Sequence, residues 1–143
     1  REFDPVIEVD GSDSQSLDAM LDLLEAGGMD ALKAMRILVP PATQSLEYKD
    51  ADLAAFYEYY ALNSEPWDGP AGIVLFDGRY AACTLDRNGL RPARWQLTQD
   101  RHFLIASEAG VWDVPSAQVV RKGKLGPGQM IAAVFNPPAF ATS

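Results

Sequence analysis

Cysteine and histidine are almost missing: Cys83 and His102 each stand alone among 143 residues. One thiol excludes an intrachain disulfide, and one cysteine with one histidine cannot supply a usual zinc site. Nothing points to an oxidising compartment, so a cytoplasmic setting is the expectation. Long apolar runs are missing too. None approaches the roughly 20 residues of a membrane-spanning helix, and the acidic start Arg1-Glu2-Phe3-Asp4 is no signal peptide, so a soluble chain is expected. Basic residues are a minority, twelve against twenty acidic, with a formal charge of −8. They are scattered along the sequence, which argues against nucleic acid or an anionic membrane as a partner. There is no internal repeat, no low-complexity tract and no initiator methionine. Both ends read as cuts in a longer chain, the last of them in an irregular tail, Asn136 to Ser143.

What is present is globular: 48% hydrophobic and 22% charged residues, in a length that fits one domain. Pro5 to Val9 alternates weakly and could be a short strand. Ser12-Asp13-Ser14-Gln15 has capping-box spacing, and Leu17, Met20, Leu21 and Leu24 then recur at helical period up to Gly27-Gly28. A shorter helix is predicted over Asp30 to Leu38, with Leu32 and Met35 inward and Pro40-Pro41 as its stop. Val39, before the prolines, should be extended. Ala42 to Lys49 reads as a loop. A third helix starts at Asp50, with Leu53, Phe56, Tyr57 and Tyr60 on one face, and stops before Pro66. Glu65 to Pro70 is turn chemistry around Trp67, which should anchor the turn on the core.

Beyond Trp67 the period becomes that of strands. Ile73 to Phe76, an Asp77-Gly78 hairpin turn, and Tyr80 to Leu85 come first. Ala93 to Thr98, His102 to Ala106, a short Gln118 to Arg121, a basic glycine-rich turn from Lys122 to Gly128, and Met130 to Phe135 follow. Helices first and strands after predict an α+β chain with a mostly antiparallel sheet of five to six strands.

Between two of these strands lies Asp86-Arg87-Asn88-Gly89-Leu90-Arg91-Pro92. Asn88 and Gly89 tolerate positive φ, so the chain can reverse there. Asp86 is expected to tie down the turn and to pair with Arg87 or Arg91, and Glu108 could pair with either arginine. Catalytic signals are weak. His102 and Ser107-Glu108 have no spacing that makes a nucleophile, base and orienting acid converge. Lys122 to Gly128 lacks the ending of a phosphate loop and runs into a strand. Cys83 sits mid-strand with no nearby charge to lower its pKa, and reads as structural.

Three stretches nevertheless resemble the large chain of glutamate synthase, in the same order: Glu65-Pro66-Trp67-Asp68-Gly69-Pro70-Ala71, Asp86 to Pro92, and Ala106-Ser107-Glu108-Ala109-Gly110. Gly11-Ser12-Asp13-Ser14 with its leucine-rich helix, and Phe56-Tyr57-Glu58-Tyr59, are similar too. The resemblance implies the later part of a class II glutamine amidotransferase domain, an Ntn-hydrolase αββα sandwich, over residues 1–135. It implies glutamine hydrolysis through a thioester, with ammonia passed to 2-oxoglutarate in nitrogen assimilation. In that class the nucleophile is a cysteine opening the mature chain, with its own α-amine as base. Cys83 is internal and cannot take that place, so no catalytic residue is assigned. The oxyanion Asn-Gly pair and the substrate-clamping arginine also precede the Ser-Asp-Ser segment. One role carries over: Asp13 as the carboxylate for the α-amino group of L-glutamine, against a bare helix-dipole role. FMN and an iron–sulfur cluster are implied for the parent enzyme, in other domains, and none in this chain. The remaining domains of the large chain are the implied partners.

Two rivals belong to other classes. One is a non-catalytic module, inactive alone, that self-associates through exposed sheet edges. The other is an independent hydrolase using Cys83 or Ser107.

Overall fold

The computed structural model describes residue 6, residues 10–42 and residues 50–135. The proposed strand over Pro5 to Val9, most of the Ala42 to Lys49 loop and the tail from Asn136 lie outside the described residues. The chain divides into two compact units, residues 1–68 and 69–143.

The first unit is helical. Helix α1 spans Asp13–Ala26, and the predicted capping box is complete: Ser12 Oγ accepts the Gln15 N–H at 3.3 Å while Gln15 Oε1 accepts the Ser12 N–H at 2.8 Å. Its stripe of Leu17, Met20, Leu21 and Leu24 is half-buried, and α1 packs on α2, Ala31–Leu38. Asp30 caps α2 by accepting from the N–H groups of Leu32 and Lys33. The buried set of α2 is Ala31, Ala34, Met35 and Leu38, at i, i+3, i+4 and i+7, together with Ile37, and Leu32 is only half-buried at the margin of the stripe. Helix α3, Ala51–Asn63, is capped by Asp50. Its inward face centres on Tyr57, with the Phe56 and Tyr60 rings 4.9 Å apart; Leu53 stays exposed, contrary to expectation. Lys33 of α2 lies over the Phe56 and Tyr60 rings at 5.9 and 5.6 Å, a cation–π clasp between the two helices.

Among the described residues the second unit carries six antiparallel strands in two three-stranded sheets. Strands β1 (Gly72–Phe76), β2 (Tyr80–Leu85) and β6 (Met130–Val134) form one sheet in the order β1-β2-β6. Strands β3 (Arg94–Thr98), β4 (Phe103–Ala106) and β5 (Val119–Lys124) form the other, in the order β4-β3-β5. The α+β class stands, with the strands divided between two sheets. Cys83 and Leu85 from one sheet meet Ala93, Trp95 and Ile105 from the other, with Leu125 and Ile131 closing the core. Truncating a side chain as buried as Leu85, at 1% exposure, costs about 2–5 kcal/mol in such a setting.

Three local expectations change. The first hairpin turns one residue later than predicted, on Gly78-Arg79, because the Asp77 carboxylate accepts from the N–H groups of Arg79 and Tyr80 at 2.8 and 2.5 Å. Lys122 to Lys124 belong to β5 and not to a turn: their backbone pairs with Arg94 to Gln96 of β3. Finally, β2 and β3 are not a hairpin. The Asp86 to Pro92 stretch hands the chain from one sheet to the other. Among the described residues no helix is long and apolar enough to cross a membrane.

Candidate functional site

Asp13 occupies the first turn of α1, where the partial positive charge of the helix start favours a carboxylate by about 0.3–1 kcal/mol. Its side chain is exposed and forms no hydrogen bond or ion pair among the described residues. It lines a cleft of about 400 Å³ together with Ser16, Leu17, Glu65 and Trp67. Trp67 is half-buried, and its backbone N–H donates to the Leu38 carbonyl at 2.7 Å, which ties the Glu65 to Asp68 stretch to the end of α2. Trp67 also forms a wall of the cleft that holds Asp13. A carboxylate in a half-open cleft beside an aromatic wall is suited to an ammonium group on a small amphiphilic molecule.

Asp86 is a different kind of site. It is 2% exposed, and its carboxylate accepts from the Ala71 N–H at 3.0 Å through Oδ1 and from the Asn88 N–H at 2.9 Å through Oδ2. Its backbone N–H donates to the Ala71 carbonyl, and its own carbonyl accepts from Gly89 and Gly128. One residue thus fastens three separate stretches: the end of Glu65 to Ala71, the Asn88-Gly89 turn and the Gly126 to Gly128 turn. Gly89 sits at φ 61°, and a Cβ there would lie 2.7 Å from the Pro127 backbone, so only glycine fits. The carboxylate spends its acceptors on backbone, and the expected ion pair of Asp86 with Arg87 or Arg91 does not form. Glu108 likewise makes no ion pair among the described residues. The arrangement is structural: a carboxylate 2% exposed, with each oxygen accepting from a backbone N–H, is closed off from a substrate.

The remaining sequence candidates do not assemble into a catalytic group. His102 Nδ1 lies 2.7 Å from Asp100 Oδ2, both well exposed, and the Thr98 hydroxyl donates to the other Asp100 oxygen. The Thr98 hydroxyl, then the His102 contact, hold the Asp100 carboxyl below its ordinary range. This is a clasp on the β3–β4 turn, where Arg101 adopts φ 65°. Cys83 is 2% exposed in mid-strand, and burial pushes its thiol pKa up, the opposite of what a nucleophile needs. Among the described residues no three His, Cys, Asp or Glu side chains converge as metal ligands.

Sequence reading missed one feature. Basic residues scattered in the sequence are brought together on the outer face of the second sheet, where Arg94, Lys122 and Lys124 line a groove of about 400 Å³ with Gln96, Leu104 and Trp112. The available signal was the alternation Lys122-Gly123-Lys124, which at a strand's period of two puts both amines on one face.

The sequence pattern described as glutamine amidotransferases class-II matches residues 1–137. Among curated relatives, the ferredoxin-dependent glutamate synthase of Pyropia yezoensis is 47% identical over 134 residues, which cover 92% of this chain and 9% of the relative. The NADH glutamate synthase of Schizosaccharomyces pombe is 45% identical over 128 residues, 89% of this chain and 6% of the relative. The chloroplastic ferredoxin-dependent enzyme of Oryza sativa subsp. japonica is 44% identical over 134 residues, 92% of this chain and 8% of the relative. The chain thus spans less than a tenth of the length of these proteins.

Proposed function

The chain belongs to the class-II glutamine amidotransferases, and from that premise we propose that it is the later part of the amidotransferase domain of a glutamate synthase. Its task there is to hold glutamine by the α-amino end. The observation that carries this reading is the Asp13 carboxylate, exposed, without a partner among the described residues, and set in a cleft walled by Trp67. The glutamine ammonium would donate a charge-assisted hydrogen bond to Asp13, leaving the side-chain amide to point toward a nucleophile. That nucleophile, with its oxyanion donors, is supplied by sequence outside residues 1–143. Cys83 is too buried and too weakly acidic for the role, and Ser107 makes no hydrogen bond to a base among the described residues.

Relatives named for ferredoxin and for NADH match this chain at similar identity. The segment therefore serves a step the two have in common, which suits release of ammonia from glutamine and not the reductive half. Flavin and an iron–sulfur cluster belong to other parts of the parent in this reading. The residues here do not fit a cluster, because a single buried cysteine cannot supply its thiolates.

A second reading, an interaction module, draws on Val74 and Phe76, which are 64% and 70% exposed on β1, an edge strand among the described residues. Glutaminase assay of the longer protein separates the two. Asp13→Asn should raise KM for glutamine by about 10- to 100-fold, equivalent to a lost charged hydrogen bond, with kcat much less affected. Unaltered KM would refute substrate binding at Asp13.

A further inference from the structure

Asp13 lies between two residues whose hydrogen bonds close around it. Ser12 Oγ accepts the Gln15 N–H at 3.3 Å and donates its own proton to Gln15 Oε1 at 3.2 Å. A serine hydroxyl has one proton, so the 3.1 Å contact between the Ser12 and Ser14 hydroxyls is donated by Ser14. Ser12 Oγ has thereby used its donor and both of its acceptor lone pairs. Gln15 Oε1 is filled as well, by the Ser12 hydroxyl and by the Ser12 N–H at 2.8 Å. The Asp13 carboxylate, enclosed by this ring, forms no hydrogen bond or ion pair among the described residues.

The ring acts on Asp13 in two ways. The first is geometric. Near the start of α1, Asp13 and Ser16 line the cleft walled by Trp67. Ser12 holds both of them, Asp13 through their shared peptide bond and Ser16 through its carbonyl, which accepts the Ser16 N–H at 3.0 Å. Gln15 in turn keeps Ser12 extended, at φ −74° and ψ 158°, where an uncapped and exposed first turn would fray and let the carboxylate wander. The second is chemical. A helix start leaves N–H groups without intrahelical acceptors, and a neighbouring aspartate readily takes them. Here Ser12 satisfies the Gln15 N–H and Gln15 satisfies the Ser12 N–H, so Asp13 keeps its acceptors. An ammonium approaching a helix start meets partial positive charge, and a carboxylate already spent on helix N–H groups would offset that poorly.

We propose that Ser12 and Gln15 are positioning residues for glutamine, acting through Asp13 by holding its carboxylate at the cleft and free of backbone partners. The proposal rests on the reading of Asp13 as the carboxylate that meets the α-ammonium group. Neither Ser12 nor Gln15 touches the ligand in this account, because their oxygens are filled within the ring.

The test is steady-state glutaminase kinetics of the full-length protein from its source, with glutamine and with 4-carbamoylbutanoate, which lacks the ammonium group. Ser12→Ala and Gln15→Ala should each raise KM for glutamine about three- to tenfold through a loosened Asp13, with kcat within about twofold. Neither should change kcat/KM for 4-carbamoylbutanoate by more than about twofold, whereas general loosening of the helix would lower it for both substrates alike. Gln15→Glu keeps an acceptor for the Ser12 N–H and should restore the KM of the unaltered protein. Gln15→Ala added to Asp13→Asn should cost nothing beyond Asp13→Asn alone, since a residue acting through Asp13 has nothing left to act on. An equal fall for both substrates, no rescue by Gln15→Glu, or a further loss in the double variant would each overturn the proposal. A raised KM in Asp13→Asn with unaltered values in Ser12→Ala and Gln15→Ala would overturn the positioning role alone, whereas an unaltered KM in Asp13→Asn would overturn the reading of Asp13 and this role with it.

Discussion

Replacing Asp86 by alanine removes the acceptor of two backbone N–H groups at 3.0 and 2.9 Å from a site that is 2% exposed. Hydrogen bonds to a charged partner are worth about 1.5–3 kcal/mol each, and the N–H of Ala71, itself 8% exposed, would be left buried without an acceptor. The expected loss is about 3–5 kcal/mol, borne by the unit of residues 69–143. Native-state hydrogen exchange read by mass spectrometry suits the problem because it reports on β1 and β2 whatever else the protein contains. At about 1.4 kcal/mol per tenfold, amides of Gly72–Phe76 and Tyr80–Leu85 should exchange roughly 100- to 4,000-fold faster in Asp86→Ala. Asp86→Asn keeps the Ala71 contact but turns an amide nitrogen or a weaker oxygen toward Asn88, and should fall between. Arg91→Ala, which removes no ion pair of Asp86 or Glu108, should stay within about 0.5 kcal/mol. Protection within threefold of the unaltered protein for Asp86→Ala, or an equal loss for Arg91→Ala, would refute the assignment of Asp86 as the fastening residue.

Further outcomes follow from single contacts. Gly89→Ala should destabilise by about 3 kcal/mol or more, since it combines φ 61° with a Cβ 2.7 Å from Pro127, whereas Gly78→Ala, at φ 85° in open space, should cost only about 1 kcal/mol; equal melting temperatures for the two would contradict this. Cys83 should resist maleimide at pH 8 in the folded protein and react on unfolding, because the thiol is buried and its pKa raised; rapid labelling of the native state would refute that placement. The Asp100 carboxyl is held low, so its clasp with Thr98 and His102 should persist above the ordinary aspartate pKa and be lost only as pH falls through the depressed value. A carbon-detected NMR titration of Asp100 with an unshifted midpoint would contradict it.

How much of this was legible in the sequence varies with the range of the interaction involved. The helices were, because their signals are local: Ser12 with Gln15, Asp30 and Asp50 each meet backbone groups two or three residues away. Strand positions were also legible from the period of two. The pairing of strands was not. Whether β3 follows β2 as a hairpin or crosses to another sheet is decided by Asp86 reaching Ala71 and Gly128, contacts that no local pattern encodes. The same holds for the sites. Asp13 is proposed from a motif whose residues adjoin in sequence, whereas the basic face joins Arg94 to Lys122 and Lys124, nearly thirty residues away, through strand pairing alone.

Asp13 is proposed to meet the α-amino group of glutamine. The direct measurement is kcat/KM of the longer protein for glutamine against 4-carbamoylbutanoate, the same molecule without that group, in the unaltered enzyme and in Asp13→Asn. The unaltered protein should prefer glutamine by at least about tenfold, the worth of one charge-assisted hydrogen bond, and the preference should collapse toward unity in the variant. A preference that survives the substitution undiminished would mean that another residue reads the ammonium, and that the cleft beside Trp67 is not the glutamine site.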